Sequence, residues 1–269
     1  MNLQHSLHYS IFLAFIIQYS CSLVIFPVPS RTKHCHEPPM PVFQTVIFDC
    51  DSTLSRIEGV EQLASDHRPE VAALTEAAMA GEVPLEEIYG PRLDLIRPAL
   101  ADVERVGHQY VAERIPGIEE TIATLRREGV AVRVISGGLL QAVLVLTRFL
   151  GLPDHDVAAV EVRFDDAGRY LGFDQASPLA RAGGKDEMLR GWGRETPGPR
   201  MLIGDGVTDL EAKDAVDLFV AFTGVVSRPA VVAAADVVIE ELSLDHIVEL
   251  ALGQAPQARN IANHPNQEL

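Results

Sequence analysis

The sequence predicts an α/β protein, a Rossmann-like core built on a parallel sheet with a helical cap domain inserted near its start. Three observations predict it. After Pro116-Gly117, short β-branched runs alternate with helical stretches and glycine-marked turns, the signature of strand–helix units over a parallel sheet. Between Ile57 and Ile115 the apolar spacing is helical, with few strand-like runs. The first apolar run, Val46-Ile47-Phe48, ends abruptly in Asp49-Cys50-Asp51-Ser52-Thr53. That puts carboxylates where open parallel sheets place their ligand crevice, at the carboxyl end of a strand. The expected organisation is a hydrophobic extension over 1–39, a core over 40–56 and 116–254, a cap over 57–115, and a disordered tail over 255–269.

Composition narrows the function classes. The 269 residues are 47% apolar, ample for a core, and carry a formal charge of −16. Phosphate backbones are bound by Lys and Arg, so this balance excludes a nucleic-acid partner and an anionic membrane surface. A small anionic substrate is still allowed if a metal and a few placed cations supply local positive charge. The three cysteines, Cys21, Cys35 and Cys50, cannot form a disulfide framework, which points to a reducing, cytoplasmic setting.

The first forty residues differ from the rest. Ile11 to Val28 is nearly all apolar and almost long enough to span a bilayer, yet no Lys or Arg precedes it and no clear cleavage site follows. If it spans, Arg31 and Lys33 would hold the catalytic body in the cytoplasm as a membrane-anchored form. The favoured reading is a start codon assigned too early, with Met40 as the natural start. His34-Cys35-His36 lacks a second ligand pair at zinc spacing.

In the core, Val46 to Phe48 reads as a buried strand, with Asp49 and Asp51 projecting together because alternate side chains share a face. Two such carboxylates repel unless a cation or a proton holds them, and hard divalent ions such as Mg²⁺ take oxygen ligands of this kind. A simple polar turn is the competing reading. In the cap, helices are expected over Glu70–Met79, Leu85–Leu95 and Ala101–Glu113, broken by Gly81 and Pro84. Beyond it come a helix over Gly117–Glu128, a strand over Val130–Ile135 running into Ser136-Gly137-Gly138, and a helix over Leu139–Leu150. Ser-Gly-Gly before a helix can hold an anion or can simply be a tight turn. Val157 to Arg163 reads as a strand, with a hairpin turn at Asp165-Asp166-Ala167-Gly168. Lys185, opening the helix that ends near Trp192, has the wrong sign for a helix amino terminus, so phosphate or solvent must explain it. The strand Met201-Leu202-Ile203 leads into Gly204-Asp205-Gly206-Val207-Thr208-Asp209 and a helix over Leu210–Ala215. Two further strands, 218–221 and 237–239, and a last helix over Leu244–Leu252 complete the core.

Taken together, strand ends supply Asp49, Asp51, Ser136 and Asp205, and Lys185 joins them from a helix. Three acids can hold one Mg²⁺, while Ser136 and Lys185 take the phosphate oxygens left free. One carboxylate can then attack phosphorus and another can manage protons. Phosphoryl transfer through an aspartyl phosphate uses all five.

These residues carry a resemblance. Asp49-Cys50-Asp51-Ser52-Thr53, Ser136-Gly137-Gly138, Gly184-Lys185 and Gly204-Asp205-Gly206-Val207-Thr208-Asp209 resemble, in order, the four motifs of the haloacid dehalogenase superfamily of phosphatases. The resemblance covers nearly all of Pro41 to Gly253. Ala78 to Pro84, Gly168 to Asp174 and Ala182 to Lys185 are similar to stretches of its phosphoserine phosphatase branch. The resemblance implies hydrolysis of O-phospho-L-serine, the last step of L-serine biosynthesis, with Asp49 as nucleophile and Asp51 as general acid and then base. It implies Mg²⁺ bound by Asp49, Asp51 (through its backbone carbonyl) and Asp205, with Asp209 and Thr208 ordering the surroundings. Ser136, Gly137, Gly138 and Lys185 would hold the phosphoryl group. Glu58 would meet the substrate ammonium and Arg92 its carboxylate, with Met79 and Ala80 lining the pocket and Arg228 near the ligand. Leu85, Ala80 and Leu139-Leu140 depart from the family pattern at the pocket, which keeps another small phosphomonoester open as substrate. A homodimer is also left open.

Overall fold

A computed structural model of the chain describes residues 41–193 and 196–254, apart from the side chain of Asp66. The expectations for 1–39 and 255–269 lie outside these residues. Among the described residues no helix is long and apolar enough to cross a membrane.

The core is a six-stranded, all-parallel sheet. In chain order its strands are β1 (Thr45–Phe48), β2 (Ala131–Leu139), β3 (Val157–Val160), β6 (Arg200–Gly204), β7 (Leu218–Phe222) and β8 (Val237–Ile239). They lie in the order β3-β2-β1-β6-β7-β8, so β1 is central and the connection reverses direction beside it. Every residue of β1 is fully buried, as expected of a strand covered on both faces, and full burial of Ile47 or Phe48 contributes about 2–3 kcal/mol each. The parallel register pairs Phe48 with Val134 on one side and Ile203 on the other. One residue further along, Asp49, Ile135 and Gly204 therefore emerge at the same edge. This is the crevice at the topological switch point of an open sheet. A separate hairpin pairs β4 (Val162–Phe164) with β5 (Tyr170–Phe173).

Between β1 and the next core helix lie α1 (Gly59–Leu63), α2 (Arg68–Met79), α3 (Leu85–Ile96) and α4 (Leu100–Ala112). The three longer ones match the sequence reading to within two residues; α1 is an additional single turn. The remaining helices are α5 (Ile118–Arg127), α6 (Leu140–Phe149), α7 (Gly184–Trp192), α8 (Val207–Leu210), α9 (Pro229–Ala234) and α10 (Asp245–Leu252). α4 lies tightly on α6: a Cβ at Gly107 would come within 2.6 Å of Val145 Cγ2 and 2.9 Å of the Ala142 carbonyl oxygen. Any larger residue at 107 would push the two helices apart.

Three local expectations differ from the structure. Ser136-Gly137-Gly138 is not a turn, because β2 continues through it to Leu139. Glycine is needed there for space: a Cβ at Gly138 would sit 2.9 Å from Asp51 Oδ2. The helix after Gly206 begins at Val207, not Leu210, and is one turn long before a 3₁₀ turn at Lys213–Ala215. Its early start follows from Asp209, whose carboxylate accepts the Gly206 N–H at 3.2 Å. The strand expected over 157–163 splits between the sheet and the hairpin, whose turn is held by Asp165 accepting the N–H groups of Ala167 and Arg169.

Candidate active site

Buried hydrogen bonds fix the strand-end groups. Asp49 Oδ1 accepts the Cys50 N–H at 2.7 Å, and its Oδ2 lies 2.9 Å from Lys185 Nζ. The same ammonium donates to Asp209 Oδ1 at 2.7 Å. Two buried carboxylates thus explain the lysine in the first turn of α7. Burial alone would lower its pKa, but Asp209 and then Asp49 raise it further than burial depresses it. The start of α7 can tuck in this closely because residue 184 is glycine; a Cβ there would strike the Pro178 carbonyl oxygen at 1.8 Å. Cys50, between the two aspartates, is fully buried.

The hydroxyls after the Asp doublet serve the site as well as the turn. Thr53 donates to Asp205 Oδ1 at 3.2 Å, and Ser52, at φ 51°, donates to Glu58 Oε1 at 2.6 Å. Asp51 Oδ1 accepts the Gly59 N–H at 2.7 Å and the Tyr110 hydroxyl at 2.5 Å. Burial, and then the charge of Glu58, push the Asp51 carboxyl up to about 8. Burial likewise raises Glu58 and Asp205, and lifts Asp209 to about 7 against the pull of Lys185.

Asp49, Asp51, Lys185, Asp205 and Thr208 share one cavity with Glu58, Met79 and Arg92 from the cap side and with Gly137 and Gly138. Its apolar wall is Val60, Leu85 and Leu179. Arg92 is 4% exposed; it donates to Thr75 Oγ1 at 2.8 Å, while its Nε has no partner among the described residues. Ser136 is fully buried, its hydroxyl accepting the Gly138 N–H at 3.0 Å; a Cβ on Gly138 would lie 3.1 Å from that hydroxyl and 2.9 Å from Asp51 Oδ2.

Two expected pocket residues are placed elsewhere. Ala80 is exposed at the carboxyl end of α2, because the buried stripe of that helix passes through Val71, Thr75 and Ala78. Arg228 is not itself in the lining but is ion-paired with Asp205, which is, and reaches Glu76 of α2 at 3.2 Å. Sequence reasoning missed Tyr110, Thr75 and Tyr89, whose hydroxyl donates to the Gly137 carbonyl at 2.9 Å. A tyrosine or threonine on the apolar stripe of a helix gives no signal beyond ordinary core packing.

The donor set fits a hard divalent cation. Carboxylate oxygens of Asp49, Asp205 and Asp209 all lie within 4.8 Å of one another and all three residues are buried. With Asp51 and Glu58, five carboxyl groups meet three cations, Lys185, Arg92 and Arg228, so acidic oxygens outnumber the cations that could pair with them. Only oxygen is offered, as Mg²⁺ requires. Asp209 joins this group of carboxylates in place of the Asp51 side chain, but both its oxygens are already engaged, by Lys185 and by Gly206.

Comparison with known proteins agrees with this geometry. A family model described as haloacid dehalogenase-like hydrolase matches residues 43–216. The chain is 38% identical over 198 residues to the chloroplastic phosphoserine phosphatase of Arabidopsis thaliana, covering 72% of this chain and 67% of that one. It is 36% identical over 189 residues to the phosphoserine phosphatase of Homo sapiens, covering 69% and 84%. A solved structure of a phospho-aspartyl intermediate analogue of phosphoserine phosphatase superposes with a TM-score of 0.67 at 28% identity, over 77% of this chain and 97% of that one. Fold and site together define a phosphomonoester hydrolase. The chain belongs to the haloacid dehalogenase-like hydrolase family, and its homologues there are phosphoserine phosphatases.

Proposed function

We propose that the protein is a Mg²⁺-dependent phosphatase that hydrolyses O-phospho-L-serine to L-serine and phosphate, the last step of L-serine biosynthesis. The observation that carries this reading is a pair of opposite charges, Glu58 and Arg92, lining the cavity that also holds Asp49 and Lys185. A substrate bearing an ammonium and a carboxylate beside its phosphate needs one anion and one cation held apart in a desolvated pocket. The partnerless Arg92 Nε, buried against that pocket, supplies a donor for the carboxylate. A neutral or purely anionic ester would leave Glu58 unpaired, at the cost of burying a charge.

In this reading Asp49 attacks phosphorus in line with the ester oxygen, forming an aspartyl phosphate, and Asp51 protonates the departing alcohol. Asp51 then takes a proton from the water that releases phosphate. Lys185, the Ser136 hydroxyl and the glycine-lined backbone at 137–138 hold the phosphoryl oxygens. Asp49, Asp205 and the Asp51 backbone carbonyl would hold the cation, which supplies charge neutralisation at the phosphoryl group. Asp209, tied to Lys185 and Gly206, keeps the lysine aimed at Asp49. We place the catalytic body in the cytoplasm, with the free, buried Cys50 in keeping with a reducing compartment.

The test is phosphate release with Mg²⁺ or with EDTA, on phosphoserine beside phosphothreonine, sugar phosphates and p-nitrophenyl phosphate. Metal-dependent preference for phosphoserine is expected. Metal-dependent turnover without it would retire the substrate but keep the chemistry, and would point to the Leu85 side of the pocket.

A further inference from the structure

We propose that Tyr110 is a positioning residue for the proton donor: with Gly59 it fixes which oxygen of Asp51 carries the catalytic proton. This rests on the reading of Asp51 as the acid that protonates the leaving oxygen.

Both hydrogen bonds that the described residues give Asp51 end on Oδ1, from the Tyr110 hydroxyl at 2.5 Å and the Gly59 N–H at 2.7 Å. A carboxyl oxygen that accepts two such donors has no lone pair left in those directions for a proton of its own. The proton of the acid form therefore resides on Oδ2. That oxygen points to the glycine wall, 2.9 Å from where a Cβ on Gly138 would stand. In the transfer, the P–O bond to the alcohol breaks as Asp49 bonds to phosphorus. The Oδ2 proton passes to the departing oxygen, leaving free alcohol and an Asp51 carboxylate still clamped at Oδ1.

The clamp is built to be rigid. Tyr110 is 1% exposed and sits on α4, which is locked to α6 through Gly107. Its hydroxyl reaches Asp51 only because residue 59 lacks a side chain, since a Cβ there would lie 1.9 Å from the Tyr110 oxygen. Gly59 and Tyr110 are thus one device: the glycine both donates and makes room. A tyrosine serving only to fill the core would need neither the short bond nor the gap at 59.

The experiment compares kcat/KM for two leaving groups in wild type and Tyr110→Phe. An alkyl phosphate such as phosphoserine leaves as a poor alkoxide and needs the proton; p-nitrophenolate is a stable anion and needs it little. We expect Tyr110→Phe to lower kcat/KM about 10–100-fold on the alkyl ester, with a loss on p-nitrophenyl phosphate at least tenfold smaller. Gly59→Ala, which displaces the hydroxyl while keeping the tyrosine, should reproduce the same split, and the double variant should lose little more than either single one. Equal losses on both leaving groups, or an unchanged Tyr110→Phe, would overturn the proposal. If wild type ignores phosphoserine, the substrate reading has failed, and the same comparison is read on whichever small alkyl phosphate it does turn over.

Discussion

The two walls of the cavity are made in different ways. On the sheet side, Asp49 and Asp205 follow directly from adjacent parallel strands, so backbone register alone brings them together, and Lys185 is then drawn in by charge. On the cap side, Glu58, Met79 and Arg92 come from separate elements, the start of α1, the end of α2 and α3, and the two charged ones are held by side-chain bonds, Ser52 to Glu58 and Arg92 to Thr75. The sheet side carries groups any phosphomonoester would need. On the proposed function, the cap side carries the groups that meet what else the substrate bears. On that function, the chemistry rests on groups set by backbone register, and the selectivity on groups that side-chain changes can retune.

Substitutions on each wall sharpen this contrast. Asp49→Asn should abolish hydrolysis of every phosphomonoester, by roughly 10⁴-fold or more, because it removes the attacking oxygen. Phosphate-release assays on a mixed panel would show it, and residual activity on any one ester would break the division of labour. Arg92→Ala should cost about 10–10²-fold in kcat/KM on phosphoserine, the worth of a buried charge-assisted contact, but far less on p-nitrophenyl phosphate. A uniform loss would mean that the cap wall serves the chemistry after all.

A region remote from both walls gives the smallest effect. His246 on α10 lies 3.1 Å from both Glu249 and Glu241, and the bond to Glu249 leads in raising its pKa above the usual value. Folding therefore favours its charged form. The stabilisation is full below about pH 6.5, the ordinary histidine value, and is lost as pH rises through the elevated folded value. Thermal melts of wild type and His246→Gln should differ by under about 1 kcal/mol at pH 6 and converge at higher pH, with no change in activity.

Much of this architecture was legible in the chain. The Val46-Ile47-Phe48 run ending in Asp49 located the central strand, and the helical spacing from Ile57 to Ile115 located the inserted segment, because both signals come from period and punctuation. Gly137 and Gly138 do line the cavity, but the strand that runs through them was not legible: Gly138 answers to Asp51, a neighbour far away in sequence. Arg228 was read as close to the ligand, and its guanidinium pairs with Asp205, which lines the cavity, and with Glu76; sequence shows a cation but not which of several buried acids it meets. Tyr110 was invisible because its hydroxyl projects from an otherwise apolar helix face.

The setting of Cys50 has a consequence for how the protein ages. Burial, and then the negative charges of Asp51 and Asp49, hold its thiol well above the usual cysteine range. Oxidants and alkylating agents attack the thiolate, and this one is withheld. A sulfur one residue from Asp49 is therefore withheld while the fold is closed, so peroxide should spare this thiol until the protein itself comes apart.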